Sequence, residues 1–120
     1  MKRLSEKEEA IMKVVWQMGP VFSKEVRETL PEPKPHINTV ATIMRRLSDK
    51  GFLNFEDFGG SYRYAAAVSQ KHYNNTVVKP LVKGLFGNSI KNAVTFFAEE
   101  EDISLKELKE IIKMIEEKKS

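Results

Sequence analysis

The clearest pattern of apolar positions in this chain runs from residue 36 to residue 51. Apolar side chains recur there at steps of three and four, the spacing that places residues on one face of an α-helix. They are Ile37, Val40, Ile43, Met44 and Leu47. Gly51 follows them, and glycine readily adopts the left-handed conformation in which many helices end. The pattern predicts an amphipathic helix from Ile37 to Lys50.

The opposite face of this helix carries hydrogen-bonding and cationic side chains. In a DNA major groove, arginine can read guanine and asparagine can read adenine, while lysine suits a phosphate. The candidate DNA-binding residues of the helix are Asn38, Thr39, Thr42, Arg45, Arg46 and Lys50. The same face also fits an ordinary amphipathic helix with a solvated side, so its interpretation depends on the flanking segments.

Two further helices are predicted before the amphipathic helix from Ile37 to Lys50. Residues 4–18 contain Ser5 and Glu8 at the spacing of a capping box, in which each side chain binds the backbone amide of the other residue. Residues 24–30 form a shorter helix, and the prolines within residues 31–35 prevent it from continuing.

A β-hairpin is predicted after Gly51, because the spacing of apolar residues changes there from about 3.6 residues to 2. Residues 53–56 and 62–64 are the strands, and the glycine-containing segment 57–61 is the turn. Helix, helix, helix and hairpin in this order predict a winged helix-turn-helix domain over residues 1–66. Arg63 lies on the predicted wing, where it is a further candidate for contact with phosphate.

Residues 67–120 show three amphipathic helical patterns with more apolar surface than the segment can bury on its own. A second copy of the chain would cover that surface, so we predict a C-terminal helical dimerisation module. The fold class is therefore mainly α with a small β-hairpin. The candidate dimer contacts are Tyr73, Val77, Leu81, Leu85, Leu105, Leu108, Ile111, Ile112 and Ile115.

Composition limits the possible chemistry. The 120 residues carry a net charge of +3 and no cysteine, which excludes disulfides and thiol catalysis. His36 and His72 lack a metal-ligand spacing, and no nucleotide-binding glycine motif occurs. We therefore predict a protein that is not an enzyme and that needs no cofactor or metal. No apolar run reaches the ~20 residues needed to span a membrane, and the chain does not open with a basic segment followed by an apolar one, so we predict a cytoplasmic protein.

The chain resembles the penicillinase and methicillinase repressor family of bacteria. The resemblance covers nearly the whole sequence, and the order and spacing of its motifs are more specific than any single motif. The first motif is Leu4, Ser5, Glu8, Ile11, Met12, Val15 and Trp16. The second is Thr39, Val40, Thr42, Ile43, Arg46, Leu47, Lys50 and Gly51, followed by Tyr62 and Tyr64. The third is Leu85, Phe86 and Gly87, followed by Phe97 and Ala98.

The resemblance implies a homodimeric repressor whose third helix recognises a palindromic operator in double-stranded DNA. It also implies release of the operator when a membrane sensor-protease triggers cleavage of the repressor. The position that matches the family's cleavage site is Phe96-Phe97, although the family has a polar residue where this chain has Phe96. Both phenylalanines also fit a simple role in the core.

Two other functions remain open at the level of sequence. One is a small-ligand-sensing winged-helix regulator, and the other is a winged-helix protein-interaction module. The predicted wing carries Glu56 and Asp57 where contact with phosphate favours lysine, so its contribution to DNA binding depends mainly on Arg63.

Overall fold

Three helices, a small sheet and a second group of helices follow one another along the chain. The computed structural model describes residues 1–119. The helices are α1 (Glu6–Met18), α2 (Ser23–Thr29), α3 (Ile37–Asp49), α4 (Gln70–Tyr73), α5 (Lys79–Leu85), α6 (Ile90–Glu99) and α7 (Leu105–Lys119). The strands are β1 (Val21–Phe22), β2 (Leu53–Phe58) and β3 (Ser61–Ala66), and a π-helical turn occupies Asn74–Val78. This order confirms the predicted fold class of a mainly helical protein with a winged helix-turn-helix.

α1 begins at the predicted capping box. The Ser5 hydroxyl accepts a hydrogen bond from the Glu8 amide at 3.2 Å, and the Glu8 carboxylate accepts one from the Ser5 amide at 3.0 Å. These bonds satisfy backbone donors that the first turn of a helix leaves without partners.

Both ends of α3 are closed by local hydrogen bonds. At its start, Nδ1 of His36 accepts a hydrogen bond from the Asn38 amide at 3.1 Å. At its end, Gly51 has a φ of 87° and its amide binds the Ser48 carbonyl, while the Phe52 amide binds the Leu47 carbonyl at 2.9 Å. This pair of bonds is a Schellman motif, which fixes where α3 stops and where the sheet begins.

The sheet has three antiparallel strands in the order β1-β3-β2. β2 and β3 form the predicted hairpin, joined by Gly59 and Gly60 with φ values of 64° and 96°. Two consecutive residues of positive φ suit a tight hairpin turn, which glycine adopts without steric cost. The third strand was not predicted: Val21 pairs with Tyr64, so the link between α1 and α2 also belongs to the sheet.

The first compact unit extends from Met1 to Val78, beyond the boundary at residue 66 that the sequence had suggested. The physical reason is the burial of Tyr73 and Val77, which are 2% and 8% exposed in the same core as the first three helices. The hydroxyl of Tyr73 accepts a hydrogen bond from the Leu4 amide at 2.9 Å. These two residues had been assigned to the dimer surface, and the structure corrects that assignment.

A π-helical turn separates α4 from α5. Pro80 has no N–H and therefore cannot donate to the carbonyl of Thr76, four residues earlier. The π-helical turn ends at Val78, two residues before Pro80, so the hydrogen-bonding pattern of the helix changes next to the missing bond.

The second compact unit begins at Lys79 and contains α5, α6 and α7. Among its residues up to 118, only Ala93 is buried. Phe86, Phe96 and Phe97 form an aromatic cluster with ring centroids 5.4–6.0 Å apart, but Phe96 and Phe97 remain 45% and 38% exposed. Within residues 1–119, no helix is long and apolar enough to cross a lipid bilayer.

Candidate nucleic-acid interface

α3 has one buried face and one exposed polar face. Val40, Met44 and Leu47 are fully buried, so the orientation of the helix is set by the core. Five of the predicted DNA-binding residues lie on the exposed side of α3, and they are Asn38, Thr39, Thr42, Arg45 and Arg46. The structure therefore brings these five side chains onto one surface, whereas Lys50 follows the last residue of α3 and turns toward Glu8 of α1.

Thr42 is less free than its exposure suggests. Its hydroxyl donates a hydrogen bond to the Asn38 carbonyl within the helix at 2.8 Å. A hydroxyl has a single proton but two acceptor lone pairs, so the remaining capacity of Thr42 is to accept a hydrogen bond or to offer its methyl group. A cytosine amino group or a thymine methyl group meets that requirement.

Arg45 contacts the hairpin. Its guanidinium carbon lies 5.6 Å from the centroid of the Tyr62 ring, within the range of a cation–π interaction. Tyr64 is close enough to respond to the same charge: burial raises the pKa of its hydroxyl, and the positive charge of Arg45 acts in the opposite direction. One of the two arginines on the exposed face is therefore held by β3.

Arg63 has two partners on the hairpin itself. Its guanidinium lies 3.7 Å from the Glu56 carboxylate and 4.9 Å from the centroid of the Phe58 ring. Because side chains alternate along a strand, Arg63 projects to the opposite side of β3 from Tyr62 and Tyr64. The cation that the sequence had assigned to phosphate contact is thus partly neutralised on the wing.

Lys50 also has a partner within the domain. Its ammonium lies 2.8 Å from the carboxylate of Glu8, which is only 5% exposed. Burial alone would raise the pKa of Glu8, but the hydrogen bonds from Lys50 and Ser5 outweigh burial and leave that pKa below its ordinary value. Lys50 therefore ties the end of α3 to the start of α1, a structural role that the sequence analysis missed.

An open cleft of about 930 Å³ lies within the first unit, between α3 and the hairpin. Ile37, Ala41 and Arg45 line it from α3, and Phe58 and Tyr62 line it from the hairpin. Arg45 thus borders both the exposed face of α3 and this cleft.

The aromatic residues of the hairpin were not among the predicted site residues. Phe55 lies 4.7 Å from Tyr62 and 5.9 Å from Tyr64, measured between ring centroids. Tyr62 and Tyr64 alternate along β3 and therefore share one face of the sheet. The contact with Arg45 was not visible, because it depends on how α3 packs against the sheet.

Comparison with known proteins gives matches along almost the whole chain. The family model described as penicillinase repressor matches residues 4–117. The chain is 24% identical over 119 residues to the penicillinase repressor of Bacillus licheniformis, a match that covers 98% of this chain and 93% of that protein. It is 22% identical over 116 residues to the methicillin resistance regulatory protein MecI of Staphylococcus aureus strain N315, covering 96% and 94% respectively.

A solved structure described as a CopR repressor has a TM-score of 0.46 and 29% sequence identity, and it covers 54% of this chain and 96% of that one. The family match spans both compact units of the structure, including α3 and the hairpin. The chain therefore belongs to the penicillinase repressor family, which is a family of transcriptional repressors.

Proposed function

We propose that this protein acts in the cytoplasm as a homodimer that binds a palindromic DNA operator through α3. The observation that carries the proposal is the exposed face of α3, which holds Arg45 and Arg46 and has no acidic side chain before Asp49. In a helix-turn-helix, the second helix of the motif enters the major groove, and here that helix is α3.

The side chains divide into two groups by the contacts we propose. Five residues of α3 face base edges, and they are Asn38, Thr39, Thr42, Arg45 and Arg46. Lys50 and Arg63 face phosphates, but each must share its charge with Glu8 or Glu56 respectively. Their contribution to affinity should therefore be smaller than that of an unpaired cation.

We propose that the second unit holds two copies of the chain together. Its apolar side chains are largely exposed in the single chain, and a second copy would remove them from water. The residues we assign to this contact are Leu81, Leu85, Leu105, Leu108, Ile111, Ile112 and Ile115. Tyr73 and Val77 are left out because they already lie in the core of the first unit.

Release of the operator is proposed to follow cleavage between Phe96 and Phe97, triggered by a membrane sensor-protease. Membership of the family supports this step, as does the exposure of both side chains on α6. A cut there would separate α7 from α5 and from most of α6. Because two linked half-sites bind far more tightly than one, loss of the dimer would release DNA.

Arg46 gives the sharpest test of DNA binding. Duplexes are first selected from a random pool with the full chain, and the affinity of the selected duplex is measured over a range of salt concentrations. Arg46→Ala should weaken binding by ~1–3 kcal/mol if Arg46 makes a bidentate contact to guanine. Lys13→Ala removes an exposed charge from α1 and serves as the matched control, which should have little effect.

Several outcomes of this experiment discriminate between functions. A dimer should select two half-sites about 34–36 Å apart, or a small multiple of that distance. An equal loss for Arg46→Ala on selected and scrambled duplexes would assign Arg46 to phosphate rather than to a base. Failure to select any duplex, with no steep dependence of binding on salt, would favour a protein-interaction module instead.

The cleft between α3 and the hairpin keeps a small-ligand-sensing regulator as a second candidate. A ligand that occupied it would contact Arg45 and Tyr62 and should raise the melting temperature. A compound screen by thermal shift, repeated with Tyr62→Leu, tests this candidate. Loss of the shift in the variant would support it.

A further inference from the structure

We propose that Tyr62 is a positioning residue for DNA recognition, which acts by holding the guanidinium of Arg45 in place on the exposed face of α3. The inference rests on the proposed function and gives the hairpin a role that does not require it to touch DNA.

The contact between Arg45 and Tyr62 belongs to a larger aromatic arrangement. Phe55 packs 4.7 Å from Tyr62, and Tyr64 lies edge-on to Tyr62 at 6.4 Å. Tyr64 is buried, with 3% of its surface exposed, so it anchors the other two rings to the core. The ring that Arg45 contacts is therefore packed against two further rings, one of which lies in the core.

The charges of the hairpin weaken the contact that we propose between Arg63 and a DNA phosphate. Glu56 and Asp57 are acidic, and Arg63 is engaged by Glu56 and by the Phe58 ring on the opposite side of β3. The Asp57 carboxylate also accepts a hydrogen bond from the Gly60 amide at 2.7 Å, which fixes acidic charge at the turn. The part of the hairpin that favours DNA recognition is thus its aromatic side, through Arg45.

Holding Arg45 should affect specificity more than general affinity. A long arginine side chain loses rotamer freedom when it binds, and a ring that restricts it beforehand reduces that loss. A phosphate can be met from many rotamers, whereas a bidentate contact to guanine requires one orientation. Tyr62 should therefore increase the preference for the selected duplex over a scrambled one.

The test is a double-mutant cycle on duplexes selected by the full chain. Tyr62→Leu removes the ring face but keeps an apolar side chain, and it should reduce discrimination between selected and scrambled duplexes about two- to five-fold. Tyr62→Phe keeps the ring and should retain discrimination. In an Arg45→Ala background, Tyr62→Leu should cause no further loss.

Phe58→Leu is the matched control, because it removes an exposed aromatic ring from the same hairpin beneath Arg63 instead of Arg45. It should leave discrimination unchanged. An equal loss for Phe58→Leu and Tyr62→Leu would overturn the proposal, as would additive losses for Tyr62→Leu and Arg45→Ala. Thermal unfolding of each variant checks that the domain is intact.

A measurement without DNA separates this proposal from the proposed function. The Tyr62 ring should shift the NMR resonances of the Arg45 side chain upfield, and the shift should persist in Tyr62→Phe and disappear in Tyr62→Leu. Absence of the shift in the wild-type chain would overturn the positioning role alone. A wild-type chain that shows the shift but selects no duplex would overturn DNA binding and, with it, the role of Tyr62 in recognition.

Discussion

Glu8 joins two parts of the domain with one carboxylate. Its Oε1 atom accepts the Ser5 amide at 3.0 Å, and its Oε2 atom accepts the Lys50 ammonium at 2.8 Å. The first bond caps α1, and the second reaches the end of α3. A buried carboxylate of this kind stabilises the fold only while it is ionised and paired.

Glu8→Gln should therefore reduce stability most at neutral pH. The folded-state pKa of Glu8 lies below its ordinary value, because the hydrogen bonds from Lys50 and Ser5 outweigh the effect of burial. Its stabilising contribution is thus fully present above the unfolded pKa and is lost as the pH falls through the folded one. We expect a loss of about 1–3 kcal/mol near pH 7 that shrinks in acid, measured by urea unfolding at several pH values.

Glu6→Gln provides the control for this measurement, because Glu6 is an exposed acid in the same first turn. It should change stability little at any pH. A difference between wild type and Glu8→Gln that stays constant down to strongly acidic pH would contradict an ionised pair with Lys50.

At the scale of elements, the sequence was most informative where the determinants are local. The capping box of α1 and the apolar spacing of α3 lie within a few residues, and both appear in the structure as predicted. β1 was missed because two residues carry no period, and Val21 forms a strand only by pairing with Tyr64. Tyr73 was assigned to the dimer surface because the spacing of apolar residues shows that a face is apolar but not which surface it packs against.

The candidate site shows the same division. Exposure of the polar face of α3 followed from its period alone. The pairing of Lys50 with Glu8 and of Arg45 with Tyr62 joins residues far apart in sequence, so no local pattern could have indicated either contact.

The cleavage that we propose at Phe96-Phe97 would require part of α6 to open. The Phe96 carbonyl accepts the Glu100 amide at 3.1 Å, and the Phe97 carbonyl accepts the Asp102 amide at 2.9 Å. These bonds close the end of the helix, where local opening costs least. We expect mass spectrometry of the repressor from induced cells to show fragments that end at Phe96 and begin at Phe97.

Phe97→Ala should block this cut, because it removes one of the two side chains that flank the bond and that a protease would recognise. Phe86→Ala loosens the same aromatic cluster but keeps both flanking side chains, and it should leave cleavage intact. Induction of the repressed gene while the wild-type repressor keeps its full mass would rule out proteolytic release.

At the scale of the whole molecule, the two units differ in how completely they bury their apolar residues. The first has a continuous core from Leu4 to Val77, whereas the second leaves Leu85, Leu105 and Ile112 more than half exposed. Exposed apolar surface of this extent is typical of a protein interface. The second unit is therefore the part whose stability should depend on chain concentration.

Replacing Leu108 and Ile112 with aspartate should produce monomers, because burying two carboxylates in an apolar contact is costly. The double variant should also bind the selected duplex far more weakly. Sedimentation measures the mass. The double variant Lys109→Gln, Lys113→Gln is the control, because it lowers the net charge by the same two units at exposed positions on the same helix. A Leu108, Ile112 variant that still sediments as a dimer would exclude this face as the contact.

Trp16 gives the protein a built-in optical reporter. It is the only tryptophan in the sequence, its indole N–H donates to the Val68 carbonyl at 2.9 Å, and its ring lies 5.8 Å from that of Tyr73. Both partners belong to the stretch that leaves the sheet and enters α4. Indole emission should therefore change when this stretch detaches from α1. The emission should not change when only the helices α5, α6 and α7 rearrange. Loosening of the first unit can thus be followed separately from changes in the second without a chemical label.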